Sequence, residues 1–166
     1  MQQVIRAKRI VLSTFGSLGD INPYIGIALE LRARGHHPII ATTEAYREKV
    51  EALAIDFHPV RPVLPSYDKP EEVSKIMEKC MDRKTGTDEI FNSLILPYLR
   101  DIYEDLQRAV HKADLLVTHP LPLVGPIVAQ KRGSPGCPAC SLRSRYFLPM
   151  IRPWDHGCLA CKRFWH

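Results

Sequence analysis

Two constellations in this 166-residue chain carry residue types that can do chemistry. The first is the stretch Gly16-Ser-Leu-Gly19-Asp20-Ile-Asn22-Pro23, in which one carboxylate, Asp20, sits inside a glycine loop. A carboxylate held there can take a proton from a hydroxyl, and loop amides beside a helix N-terminus suit a phosphate or other polar ligand. The second is Cys137-x-x-Cys140, seventeen residues, then Cys158-x-x-Cys161. That spacing falls within the range of four-cysteine zinc modules.

The elements that must position Asp20 are legible around it. Ile10, Val11 and Leu12 form an apolar run, as in a parallel strand covered on both faces. Gly16 and Gly19 permit close backbone approaches, Asn22 is the expected N-cap with Pro23 in the first turn, and Gly35 is the expected C-cap glycine. Between these caps Ile21, Ile25, Ala28 and Leu29 share a face that Tyr24, Ile27 and Leu31 widen, so the helix packs on a sheet. Gly16, Ser17, Gly19 and Asn22 are the expected substrate-binding loop. The spacing excludes two alternatives. No third glycine stands in register for a dinucleotide fingerprint, and no Lys-Ser or Lys-Thr follows for a P-loop. On local chemistry alone Asp20 is open to two roles, capping the loop and helix or acting as a base.

GSLGDINP after a first strand, followed by a helix ending in LRARGHHPIIAT, resembles the N-terminal domain of GT-B glycosyltransferases, specifically glycosyltransferase family 28 and its sterol, lipid and natural-product glucosyltransferase relatives. The resemblance runs from about Arg9 to Gly133. It implies a Rossmann-like domain that holds the acceptor and faces a second, donor-binding domain across a cleft. It also implies a UDP-sugar as co-substrate and Asp20 as the base on the acceptor hydroxyl.

The rest of the first 133 residues continues the alternation. Strands are expected at Pro38–Thr42, Ile55–Val60 and Asp114–Thr118. Helices are expected around Tyr46, Val50 and Leu53, around Val73, Ile76, Met77 and Cys80, from Phe91 to His111, and from Leu121 to Arg132. Phe91–His111 carries Leu99, Ile102, Tyr103, Leu106 and Val110 on one face. This pattern predicts an α/β fold with a doubly wound parallel sheet, whose ligands sit beyond the carboxyl ends of the strands. His119, after the strand Asp114–Thr118, then reaches the same rim as Asp20 and is a second catalytic candidate, to orient Asp20 or meet the acceptor. His36, His37, His58 and His111 lack that placement and read as structural or solvated. The stretch 64–92 is expected to shape the acceptor pocket.

One domain is expected over residues 1–133, and two GT-B domains need roughly double the 166 residues present, so this fragment is expected to lack the donor-binding domain and to be inactive alone. Composition changes after Gly133: residues 134–166 hold four of the five cysteines, both tryptophans, and five basic residues against the single acid Asp155. Four of the five net positive charges of the chain therefore lie in the tail, which argues against a nucleic-acid partner for the folded domain. Read one base out of frame, the tail permits a sixth strand of the kind that family has, so the preferred reading is a frameshift near Gly133 and an aberrant, poorly ordered tail. The alternatives are a zinc-binding module on Cys137, Cys140, Cys158 and Cys161, which would make the protein a non-catalytic binding domain, and an unstructured tail. A nucleotide-sugar epimerase shares the two-domain architecture and is the rival within enzymes. No apolar run is long enough to span a membrane, so a cytoplasmic protein is expected, with peripheral membrane contact if the acceptor is a lipid.

Overall fold

The computed structural model describes residues 6–65, 70–119 and 123–131. The tail with its four cysteines, the position of the sixth strand expected from the shifted frame, and the first part of the expected helix at Leu121 lie outside the described residues. Four parallel strands, β1 (Arg9–Ser13), β2 (His37–Thr42), β3 (Asp56–Pro59) and β4 (Leu115–Thr118), form one sheet in the order β3-β2-β1-β4. The apolar run of β1 explains its central place. Ile10, Val11 and Leu12 are each 0% exposed, and alternate side chains go to opposite faces. Ile10 and Leu12 join Ile40 under α1 (Leu18–Ala33), through Ile21, Tyr24, Ile25 and Ala28, and under α2 (Arg47–Glu51), through Val50. Val11 joins Ile39 and Ala41 on the other face, against Ile102, Leu106, Ala109 and Val110. Each such valine, leucine or isoleucine side chain contributes about 1.5–3 kcal/mol by burial. Helices thus cover both faces, as the alternation predicts.

Three local expectations need correction. Asn22 does not cap α1, because the helix begins a turn earlier. Ser17 is the extended N-cap residue, and Asp20 at the third helical position reaches back to its backbone in a capping box. Asn22 lies exposed in the second turn, where its Oδ1 accepts from Lys49 Nζ at 2.7 Å. The expected helix from Phe91 to His111 is broken. α4 (Gly86–Glu89) runs into a π-helical turn (Ile90–Ile95) and a 3-10 turn (Leu96–Tyr98) before α5 (Leu99–Ala109). Pro97 has no amide to donate and would clash with the carbonyl of Ser93 in a continuous α-helix. Leu53 is exposed in the turn after α2 rather than on its buried face.

Other bounds moved by a few residues: α6 spans Gly125–Lys131. α3 (Pro70–Met81) exists as expected, but Val73, Ile76, Met77 and Cys80 are only half-buried. Gly35 has φ +82° at the end of α1, as a C-cap glycine should. Among the described residues no helix is long and apolar enough to cross a membrane.

Candidate active site at the switch point of the sheet

β1 lies between β2 and β4, so the chain leaves it toward one side of the sheet and returns on the other. Open α/β sheets bind ligands at such a point, beyond the carboxyl ends of the strands. Two hydrogen bonds hold the rim together there: the Thr14 amide donates to the Ala41 carbonyl at 3.1 Å, and the His119 amide to the Ser13 carbonyl at 2.8 Å. The loop from Thr14 to Ser17 then climbs to the start of α1.

Ser17 fixes the carboxylate of Asp20. Its amide donates to Oδ2 at 2.7 Å and its hydroxyl to the same oxygen at 2.9 Å. Gly16, at φ +133°, makes room for this seat, because a Cβ there would stand 2.3 Å from Oδ2. The Gly16 carbonyl accepts from the Tyr46 hydroxyl at 2.9 Å. Oδ1 of Asp20 is turned the other way, toward His119 Nε2 at 3.8 Å, with the two side chains 36% and 22% exposed. The imidazole also meets the Tyr24 ring edge-on, centroids 6.4 Å apart. Burial lowers the pKa of His119 below its ordinary value and the Asp20 charge offsets this only in part, so the ring is neutral at neutral pH. The site therefore presents a carboxylate oxygen and a neutral imidazole side by side at an open rim.

Below the same loop, on the α5 face, lies a small apolar cavity of about 10 Å³, room for about one water, lined by Ser13, Thr14, Phe15, Thr43, Val60, Arg61, Ile95 and Ile102. Arg61 is fixed from behind. Its Nε donates to Asp105 Oδ2 at 2.8 Å, its Nη2 to Oδ1 at 3.0 Å and its amide to Oδ2 at 3.1 Å, and Arg108 also donates to Oδ1.

Gly16, Ser17, Asp20 and His119 come together as the sequence reading expects. Gly19 stays beside them, its amide donating to Ser17 Oγ at 3.3 Å, while Asn22 turns away to Lys49. His58 is structural, with Nε2 3.1 Å from the Asp105 carbonyl. His36 is buried, and His37 and His111 are exposed away from the rim. Sequence reasoning missed Tyr46 as a site neighbour; the available signal was a tyrosine on a buried helix face, whose hydroxyl must find a partner. No group of three or more histidine, cysteine or acidic residues able to hold a metal occurs among the described residues.

The model of the glycosyltransferase family 28 N-terminal domain matches residues 10–97, more than half of the chain. Sterol 3-beta-glucosyltransferase of Neurospora crassa is 28% identical over 149 residues, covering 88% of this chain and 8% of the fungal protein. The enzyme of the same name from Leptosphaeria maculans is 31% identical over 148 residues, covering 87% and 9%. The chain thus spans less than a tenth of the length of these curated relatives. Their alignments cover more of it than residues 1–133 contain, so the similarity runs past Gly133.

Among solved structures, glycosyltransferase SsfS6 of Streptomyces sp. SF2575, complexed with thymidine diphosphate, matches with TM-score 0.55 at 23% identity, covering 78% of this chain and 37% of its own. The calicheamicin glycosyltransferase CalG4 matches with TM-score 0.57 at 18% identity, covering 80% and 32%. At these identities they speak to the fold, which is that of the N-terminal half of a GT-B protein. The chain belongs to glycosyltransferase family 28, and the sheet that presents the Gly16–Asp20 loop is the N-terminal domain of that family.

Proposed function

We propose that this chain is the acceptor-binding half of a hexosyltransferase, with Asp20 Oδ1 as the base that takes the proton of an acceptor hydroxyl. The observation that carries this reading is the division of labour within one carboxylate: Ser17 holds Oδ2 with two hydrogen bonds, while Oδ1 faces the rim beside neutral His119. In the step, the acceptor O–H proton goes to Oδ1 and the oxygen bonds the anomeric carbon. The bond from that carbon to the diphosphate breaks, and UDP leaves with the electron pair. His119 orients the free oxygen and the incoming hydroxyl. The amides of the Gly16–Gly19 loop sit at the N-terminus of α1, where they favour negative charge.

The acceptor class is a sterol or another lipid alcohol. One observation supports it: the named relatives are sterol 3-beta-glucosyltransferases. The UDP-sugar would be held mainly by a donor-binding domain facing this rim. A lipid acceptor implies peripheral contact with a membrane from the cytoplasmic side. For the tail, the composition break at Gly133 supports a frameshift and the similarity running past that residue weighs against it. Resequencing across the Gly133 codon decides between them.

The test is transfer itself. The full-length protein, in the frame that this resequencing establishes, is incubated with radiolabelled UDP-glucose and a sterol, and label is followed into the organic phase. Label in a steryl glucoside that requires both substrates is expected, with at least a hundredfold loss in Asp20→Asn. Sugar inversion without an acceptor would assign an epimerase instead, and wild-type rates in Asp20→Asn would remove the base.

A further inference from the structure

We propose that Tyr46 is a positioning residue for Asp20, acting through the single peptide unit that joins Gly16 to Ser17; this rests on the reading of Asp20 as the base. Tyr46 closes the 3-10 turn Glu44–Tyr46 just before α2, thirty positions from the loop. It is 2% exposed, and its hydroxyl donates to the Gly16 carbonyl at 2.9 Å. On the other end of the same peptide unit, the Ser17 amide donates to Asp20 Oδ2 at 2.7 Å.

A trans peptide is planar, with its carbonyl and amide pointing in opposite directions, so fixing one fixes the aim of the other. Tyr46 therefore determines where the Ser17 amide points, and the Ser17 amide determines which oxygen of Asp20 is held and which is left for chemistry. Three donors and acceptors in series also polarise one another, so the tyrosine strengthens the bond it does not touch. The arrangement needs Gly16, since its φ of +133° is open to few other residues and a Cβ would collide with Oδ2. Without the tyrosine bond, this glycine is the residue about which the peptide plane is freest to turn.

The test compares Tyr46→Phe with the unaltered chain by NMR, using the full 166 residues. Phe keeps the ring in the α1–α2 core and removes the hydroxyl alone. Exchange of the Ser17 amide is expected to quicken about fivefold to tenfold, the factor that one net hydrogen bond is worth. The titration midpoint of His119 is expected to fall, because Asp20, whose charge holds it up, is no longer fixed beside it. Amides of Val11 and Leu12 should exchange as before. Lys49→Ala, which breaks only the bond to Asn22, should leave both readouts unchanged. Should Tyr46→Phe not fold, site-specific 3-fluorotyrosine at position 46 supplies a stronger donor, and the Ser17 amide proton should then move downfield.

An unchanged Ser17 amide and His119 midpoint would overturn the proposal, and so would faster exchange spread evenly through β1. None of these readouts needs turnover. A failure here leaves Asp20 untouched as the base, while wild-type transfer by Asp20→Asn would remove the base and leave the relay measurable.

Discussion

Asp20 and Asp105 are each held by neighbouring donors, yet they are built for opposite ends. Asp105 spends both oxygens, Oδ2 on the Arg61 amide and Nε, Oδ1 on Arg61 Nη2 and Arg108, and its side chain is only 8% exposed. Asp20 spends Oδ2 on Ser17 and turns Oδ1 to a half-open rim. A carboxylate whose lone pairs are all engaged is a fastener, here between the end of β3 and α5. One with a fixed oxygen and a spare one is oriented without being consumed. The count of engaged oxygens, more than the number of charges nearby, separates the structural site from the one proposed to react.

Substituting each carboxylate by its amide is the direct way to break that comparison. Asp20→Asn should cost transfer the most, about 10²–10⁴-fold, the range for losing a positioned general base. The fold should barely respond. The amide oxygen can still accept from Ser17, and losing a charge at a helix N-terminus costs about 0.3–1 kcal/mol. Calorimetry beside the rate assay would show this split, and a large fall in melting temperature in Asp20→Asn would mean that Asp20 is a fastener too.

Asp105→Asn should behave in reverse, with a stability loss of about 2 kcal/mol by urea unfolding. That is below the roughly 3–5 kcal/mol of breaking a fully buried pair, because Arg61 and Arg108 reach solvent. Its pH dependence sharpens the point. Burial pushes the Asp105 carboxyl up, but hydrogen bonds from the Arg61 side chain and backbone and from Arg108 outweigh it and hold the group below the usual carboxylate range. The unfolded chain then takes up a proton where the folded chain does not. The stabilisation is full above the ordinary carboxylate range and is lost as pH falls from there down through the lowered value of the folded state. In Asp105→Asn the acid limb of the stability curve should flatten; an unchanged limb would mean that this carboxylate is not what acid releases.

The two sites were not equally legible in the amino-acid order. The run Ile10–Leu12, the strand before His119 and the cap at Gly35 are local patterns, and they sufficed to bring Asp20 and His119 to one rim. The start of α1 was misplaced because two N-cap signals lie five residues apart. Asn22-Pro23 is the more conspicuous, but Ser17-x-x-Asp20 satisfies two donors at once and wins. The break at Pro97 was overridden by an apolar period that continues on both sides of it. The Arg61–Asp105 fastener spans 44 positions and the Tyr46–Gly16 bond spans 30, and neither leaves a periodic trace. Bonds of that reach are set by how β3 and α2 pack, which no window of sequence contains.

Within the loop the comparison narrows to two glycines three residues apart. At Gly16 an added Cβ would meet Asp20 Oδ2 at 2.3 Å on a backbone with φ +133°, so Gly16→Ala must either displace the carboxylate or strain the turn. A stability loss of about 1–3 kcal/mol is expected, the cost of a strained backbone conformation, together with loss of transfer. At Gly19 the nearest atom to a new Cβ is Ser17 Oγ at 3.5 Å, ordinary contact, and the position is already helical. Gly19→Ala should change stability by less than about 0.5 kcal/mol net, since the better helix former offsets any small shift of the serine hydroxyl. Equal losses at the two positions would mean that the loop amides are needed unshielded by a ligand at Gly19 as well. Unequal losses assign the whole requirement to the seat of one carboxylate.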